Sequence, residues 1–323
     1  MFKHTLRLAA LCLSAACAAL PALAQDNYPT KPVKIVNNFP PGGPSDVLAR
    51  SLGQVLADRF KQPFIVENKA GAAGTIGADA VAKSPADGYT ILFSIDTTFT
   101  VNPHIYGKAM PFKSSDFKPL MIMASSGMMV AVNPASGIKS MKDFIAAGKG
   151  RGLNLSSAGS GSPGHLAAEV FTDASGIKIT HVPYKGNTQA VTAILAGEVD
   201  GGVLATPGLI PHLKTGRVTG LAVTGVRRSA LAPDLPTVAE LGLKELQQEI
   251  LYVAMVPAAT PESVMQPLQQ VMAEALKRPD IQSRLAALDM AVEAQTGAAA
   301  SKRLTELSER YAKIVRATGM KVE

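Results

Sequence analysis

Along the chain, short continuous apolar runs alternate with longer stretches in which apolar positions recur every three or four residues. Residues 33–39 form a strand candidate that ends at Pro40-Pro41-Gly42-Gly43. Beyond it Val47, Leu48, Leu52, Val55, Leu56 and Phe60 trace one helical stripe. Pro44 suits the first helical position of that stripe and Asp46 its first turn. The cycle repeats with a strand over 64–67, a glycine-rich loop over 68–77, a helix over 78–83, a turn at Ala86-Asp87-Gly88 and an apolar strand over 89–95. It pauses over 102–119, rich in Pro, Lys and Phe, then resumes with a strand at 129–133 and a short helix at 141–147. The stretch 153–165, LNLSSAGSGSPGH, begins as a strand and passes through Ser, Gly and Pro. It then opens a helix with Leu166, Ala167, Val170 and Phe171 on its apolar face. Strand 179–184, helix 188–196, strand 202–205, a helix near 207–214 and strand 218–224 follow. After a Pro-punctuated segment at 232–243 come a strand over 251–256 and two long helices. The first starts with Thr260 as cap, Pro261 and Glu262; the second carries Leu304, Leu307, Tyr311, Ile314 and Val315 on one stripe.

Strands that are apolar throughout and separated by helices predict an α/β protein with mainly parallel sheets covered on both faces. A length of 323 residues predicts about two domains. Residues 125–225 are expected to form one inserted domain. Residues 25–124 and 226–323 would make a discontinuous first domain, with the C-terminal helices packing back on it.

The first two dozen residues differ in kind. Lys3 and Arg7 precede an Ala/Leu-rich run, and Ala22-Leu23-Ala24 supplies a small-x-small cleavage pattern, so 1–24 is expected to be a secretory signal with the mature chain starting at Gln25. The run is too short to span a membrane. Ser14-Ala15-Ala16-Cys17 is a poor lipoprotein box, with Ser14 where Leu is expected. Both cysteines, Cys12 and Cys17, fall inside this segment. The mature chain is therefore expected to have no disulfide, thiol nucleophile or Cys-based metal site. The formal charge of +7 falls to +5 without Lys3 and Arg7, and the remaining basic residues are scattered, unlike a nucleic-acid surface.

Two Gly/Pro/Ser loops stand between a strand and a helix start, at 39–46 (FPPGGPSD) and 156–165. Such turns expose backbone N–H groups at the positive end of a helix, which suits an anion such as a carboxylate. Facing one cleft, the two would make a two-sided carboxylate clamp. Asp46 either caps N–H groups or holds an ammonium or amide of the ligand. Residues 159–164 match the dinucleotide pattern G-x-G-x-x-G, but Tyr184 and Lys185 stand where an acidic ribose partner is needed. No G-x-S-x-G elbow occurs, and His104, His165, His181 and His212 lack metal-site spacing. No cofactor and no metal are expected, and an enzyme is disfavoured.

With these pieces in order, the chain resembles the Bug family, the periplasmic receptors of tripartite tricarboxylate transporters. The resemblance rests on Tyr28-Pro29-Thr30-Lys31-Pro32, FPPGGPSDVLAR ending at Arg50, the stretch 66–90 and Val101-Asn102-Pro103. In the second half it rests on SSAGSGSPGHLAAE, HVPYKG at 181–186, Leu221-Ala222-Val223-Thr224 and Pro236-Thr237-Val238-Ala239-Glu240. It implies a two-domain periplasmic binding protein of Venus-flytrap, type II-like architecture that closes on a small carboxylate, with waters bridging the ligand. It also implies delivery to membrane permease subunits, by a protein expected to act as a monomer. The implied ligand residues are Phe39, Gly42, Gly43, Pro44, Ser45 and Asp46 in the first loop and Ser94, Asp96 and Thr97 after the third strand. In the second domain they are Ser157, Ala158, Gly159, Ser160, Ser162, His165 and Tyr184, with Ala205 and Thr206 beyond. The chain departs from the family at Asn37-Asn38, at Asp96, in the lack of an acidic residue over 201–207 and in the lack of a Trp before Leu251. The alternative reading is an exported ligand sensor that signals to a membrane sensor kinase.

Overall fold

The structure, a computed structural model, describes residues 28–321; the expected signal segment lies outside them. In chain order the strands are β1 (Val33–Asn37), β2 (Phe64–Asn68), β3 (Thr90–Ile95), β4 (Phe117–Ser126), β5 (Met128–Val132) and β6 (Leu153–Ser157). They continue with β7 (Ile179–Pro183), β8 (Gly201–Ala205), β9 (Thr219–Val223), β10 (Ile250–Pro257) and β11 (Ala291–Gln295). The helices are α1 (Pro44–Phe60), α2 (Thr75–Ala82), α3 (Thr97–Thr100), α4 (Asn102–Tyr106), α5 (Met141–Gly150) and α6 (Pro163–Ser175). After them come α7 (Asn187–Ala196), α8 (Thr206–Lys214), α9 (Glu262–Ala275), α10 (Pro279–Ala287) and α11 (Gly297–Thr318).

The strands form two sheets, each the centre of one lobe. The first has the order β11-β4-β10-β3-β1-β2 and the second β7-β6-β8-β5-β9. Both are mixed rather than mainly parallel. β1 runs parallel to β2 and β3, and β6 parallel to β7 and β8, while the pairings made by β10, β4, β11, β5 and β9 are antiparallel. Two of the antiparallel strands, β4 and β11, are absent from the sequence pattern. β4 begins inside the Pro- and Lys-rich pause, and its ladder with β10 slips twice. β11 is a short edge strand with Glu293 and Gln295, and Ala294 adopts a left-handed φ of 49°.

Apolar stripes close the layers. Leu48, Leu52 and Leu56 of α1 are fully buried in one core with Ile35 and Phe64 of the sheet beneath. In the second lobe Phe144 of α5 meets Phe171 of α6 edge-on, with ring centroids 6.0 Å apart. Helix α9 starts one residue later than the cap pattern indicates, with Pro261 as N-cap, and Thr260 is buried without capping it.

Sheet membership changes between Ser126 and Met128, and again between Val223 and Ile250. The returning chain does not leave the second lobe at 226, because Val223 pairs with Thr237 and its amide bonds the Pro236 carbonyl. Three segments meet at Thr224, which is fully buried. Its amide donates to the Met128 carbonyl (2.9 Å), and its hydroxyl donates to the Gln248 carbonyl (2.7 Å) and accepts the Met128 amide (3.1 Å). Gly127 and Gly225 lie back to back at this crossing. A Cβ on Gly127 would fall 2.9 Å from the Gly225 nitrogen, so no side chain fits. Helix α11 packs on α3, α4 and β4 of the first lobe and on α6 of the second, with Tyr311 buried beneath it.

Asp96 joins the first and last parts of the first lobe. Its amide donates to the Leu251 carbonyl (2.9 Å), and its Oδ1 accepts the Leu251 amide (2.9 Å), extending the β3–β10 ladder. Complete burial pushes its carboxyl up to about 7. In the unfolded chain the group ionises near its ordinary value of 3.8. Between these limits the folded state holds a proton that the unfolded state has lost, so this group's contribution to stability declines as pH rises from about 4 to about 7. Asp96→Asn keeps an acceptor for Leu251 and removes the titration. In thermal unfolding scans from pH 4.5 to 8.5 the variant is expected to gain on the wild type up to about pH 7 and then run level with it. Parallel curves across the range would refute the assignment.

Candidate functional site

Each sheet has one strand where the chain reverses its direction of winding. β1 lies between β2 and β3, and β6 lies between β7 and β8. Ligands of open α/β sheets bind outside the carboxyl ends of strands at such points, because the helices on either side diverge there and leave a crevice. The loops that follow β1 and β6 are the two Gly/Pro/Ser loops. They face each other across a cleft of about 1080 Å³ between the lobes.

From the first loop, Phe39, Gly42, Gly43, Pro44 and Ser45 line the cleft. Asp46 does not. It is 3% exposed; its Oδ2 accepts the Gly42 amide (2.9 Å) and Arg50 Nε (3.1 Å), and its Oδ1 accepts Asn68 Nδ2 (2.8 Å). Burial would raise this carboxyl, but the hydrogen bonds from Arg50, Gly42 and Asn68 outweigh burial and hold it below its ordinary value. Of the residues after β3, Thr97 lines the cleft. Ser94 is sealed beneath it, donating to the Ile95 carbonyl and accepting Asn38 Nδ2 (2.9 Å), and Asp96 is committed to Leu251.

In the second lobe Ala158, Gly159, Ser160 and Ser162 line the cleft, as does Ala205. Ser162 also caps α6 by accepting the His165 amide (3.3 Å). Ser157, His165 and Tyr184 stand behind the loop and shape it. Ser157 Oγ accepts the Gly159 amide (3.2 Å) and is hydrogen-bonded to His181 Nε2. His165 Nδ1 accepts the Gly161 amide (3.1 Å), and its ring stacks on His181 at 3.7 Å and 6°. Burial pushes His181 down to about 4, so the stacked His181 ring is neutral near pH 7. The Tyr184 amide donates to the Ser157 carbonyl, while its hydroxyl is turned to Glu198 (3.1 Å). Thr206 is buried at the start of α8, where Pro207 and Gly208 take the cleft wall.

Several parts of the wall are not among the residues nominated from sequence, including Ile250 and Tyr252 of β10 and Asn187 and Thr188 at the start of α7, and two of them bear on the chemistry. One is the loop at 70–74 before α2, where Gly71, Ala72, Ala73 and Gly74 all have positive φ. Its glycines signal a loop, but only the fold brings that loop to the cleft. The other is Lys185, on the loop after β7, which is the single charged side chain lining the cleft among the described residues. The rims meet at Gly161. A Cβ there would lie 3.1 Å from Ile105 Cδ1 and 3.2 Å from Ala73 Cβ and Asn102 Oδ1 of the opposite lobe. A smaller recess of about 580 Å³ lies between residues 244–251 and α11, but its two arginines are already engaged. Arg303 pairs with Glu249 and Glu293, and Arg310 donates to the carbonyls of Glu245 and Gln247.

Among the described residues no helix is long and apolar enough to cross a membrane, and no cluster of His, Cys and acidic groups has the form of a metal site. The profile of the tripartite tricarboxylate transporter family receptor matches residues 48–320. Protein BugT of Bordetella pertussis is 33% identical over 304 residues, covering 93% of each chain. Among solved structures, the periplasmic binding protein BugD superposes with a TM-score of 0.79 at 29% identity, covering 92% of this chain and all of the other. An R. palustris protein solved with adipate gives a TM-score of 0.82 at 27% identity, with 92% and 100% of the chains covered. The chain belongs to the Bug-type receptors of the tripartite tricarboxylate transporter family, which are two-lobed solute-binding proteins and not enzymes.

Proposed function

We propose that this protein is a periplasmic receptor that captures a small carboxylate in the interlobe cleft and hands it to the permease subunits of a tripartite transporter. The observation that carries the reading is electrostatic. Among the described residues the one charged side chain of the cleft wall is the cation of Lys185, and both nearby carboxylates, Asp46 and Asp96, are bound inside the first lobe. An anion entering the cleft meets Lys185, the hydroxyls of Ser160 and Ser162, and the start of α6, whose first turn has no acidic residue. The adipate held by the R. palustris relative supports a carboxylate as cargo.

Closure is the second half of the function. The hinge at Thr224 lets the lobes rotate, and a ligand touching both would favour the closed form by its differential contacts. Gly161, with φ 79°, brings the second rim against Ala73, Ile105 and Asn102.

A thermal-shift screen of the mature protein against mono-, di- and tricarboxylates, amino acids, aromatic acids and their amides tests the cargo class. A bound acid is expected to add about 2.7 kcal/mol of stability at a hundredfold excess over its Kd, and Ser160→Ala is expected to reduce the shift. A response to neutral or cationic compounds alone would sink the carboxylate reading. Gly161→Val tests closure. Affinity for the acid found in the screen is expected to fall at least tenfold. Small-angle scattering of the ligand-saturated variant is expected to give a larger radius of gyration than the wild type; equal radii would count against the closure contact.

A further inference from the structure

The second-lobe loop is held from behind by two imidazoles. His165 Nδ1 accepts the Gly161 amide (3.1 Å), so this ring carries its proton on Nε2, which faces Glu169 Oε1 at 3.5 Å. His181 Nε2 is hydrogen-bonded to Ser157 Oγ, and that oxygen accepts the Gly159 amide (3.2 Å). The rings lie face to face, 3.7 Å apart. Between them they fix the two glycine amides on either side of Ser160, all three residues lining the cleft. The titratable groups that act on His181 are His165 and Glu169, and Thr318 of α11 bonds the Glu169 carboxylate. The neighbouring elements bring no further charge to the pair. β6 and β8 carry none, Lys178 and Lys185 are exposed at the two ends of β7, and Lys313 and Arg316 of α11 are exposed. The turn at 244–246, which packs on α6, has Lys244 and Glu245 lining the recess beside α11.

We propose that His165 and His181 are positioning residues that hold the cargo loop only while both rings are neutral, so that acid frees the loop and weakens capture. The inference rests on the receptor reading above for the site and adds a control on it. A proton on His165 Nδ1 would set a donor against the Gly161 amide and a cation at the positive end of α6. A proton on His181 would put a buried cation against the neighbouring ring. Both conflicts are relieved when the loop moves off the rings. In the held loop burial keeps His181 at about 4, and in a freed loop it returns toward its ordinary 6.5. The freed form therefore takes up protons as pH falls between these limits, and linkage draws the equilibrium toward it in acid. Affinity is accordingly greatest at neutral pH and declines as pH falls toward 4.

Two measurements test this, one without cargo. In the nitrogen-15-labelled mature protein, an NMR titration from neutral pH to about pH 4 is expected to move the Gly159 and Gly161 amide resonances with the same midpoint as the ring nitrogens of the pair. Calorimetric titration with adipate over the same range is the second. His165→Leu removes the acceptor and is expected to bind adipate at least tenfold more weakly at neutral pH. His165→Asn, whose Oδ1 can take the Gly161 amide but does not titrate, is expected to recover most of that loss. On acidification the wild type is expected to lose at least threefold more affinity than His165→Asn; the ionisation of adipate itself is common to both and drops out. Should His165→Leu fail to fold, the amide titration and His165→Asn still decide. Glycine amides that stay fixed while the rings titrate, rings that take up no proton by about pH 4, or equal pH dependence in the wild type and His165→Asn overturn the inference and leave the carboxylate receptor standing. Silence from adipate at every pH counts against the receptor reading alone, because the amide titration judges the loop by itself.

Discussion

Two lobes built from one chain must be joined by segments that cross between them, and one buried residue, Thr224, ties together the two that do, at Met128 and Gln248. Its amide, carbonyl and hydroxyl all bond neighbouring backbone, at Met128 and Gln248. Buried backbone groups without partners are costly, and at this crossing they are satisfied locally. The back-to-back glycines at 127 and 225 bring the crossing strands close enough for this network. The rims meet at Gly161 because both lobes hang from the same pair of crossings, and α11 lies across the first lobe and α6 of the second.

The cleft acquires its electrical character by subtraction. The chain places two carboxylates close to it and then uses both elsewhere, Asp46 to hold the first loop and Asp96 to complete the β3–β10 ladder. Among the described residues, what lines the cleft is hydroxyls, backbone and side-chain amides and one ammonium against a largely apolar wall. The anion selectivity proposed for the cleft therefore rests as much on where the acidic groups are placed as on the presence of Lys185. Behind the second loop the stacked His165 and His181 and the hydroxyl of Ser157 hold the backbone of Gly159 and Gly161 in place, a supporting layer that never reaches the wall.

Much of this could be read along the chain. The alternation of apolar runs and helical stripes identifies β1 to β3, β5 to β10 and most helices, because each element buries one continuous face and its period is local. The two Gly/Pro/Ser loops are legible for the same reason: a strand, a tight turn and a helix start are adjacent in sequence. β4 and β11 were not legible. Their stability comes from antiparallel neighbours far away in sequence, and bulges, Pro119 and polar edge residues blur their alternation.

Sequence alone determined the α/β class, the family and the two loops, since these rest on local periodicity and on motifs with fixed order. Tertiary structure decided which side of each side chain meets the cleft. It turned Asp46, Ser94, Asp96 and His165 inward, brought the 70–74 loop and Lys185 to the wall, and set Gly161 against the opposite lobe. The physical reason is that a polar group's role depends on which partner claims its hydrogen bonds. For these residues the partners lie both near in the chain, as Gly42, Arg50 and Gly161 do, and far away, as Leu251 and Asn68 do, and only the fold decides among them.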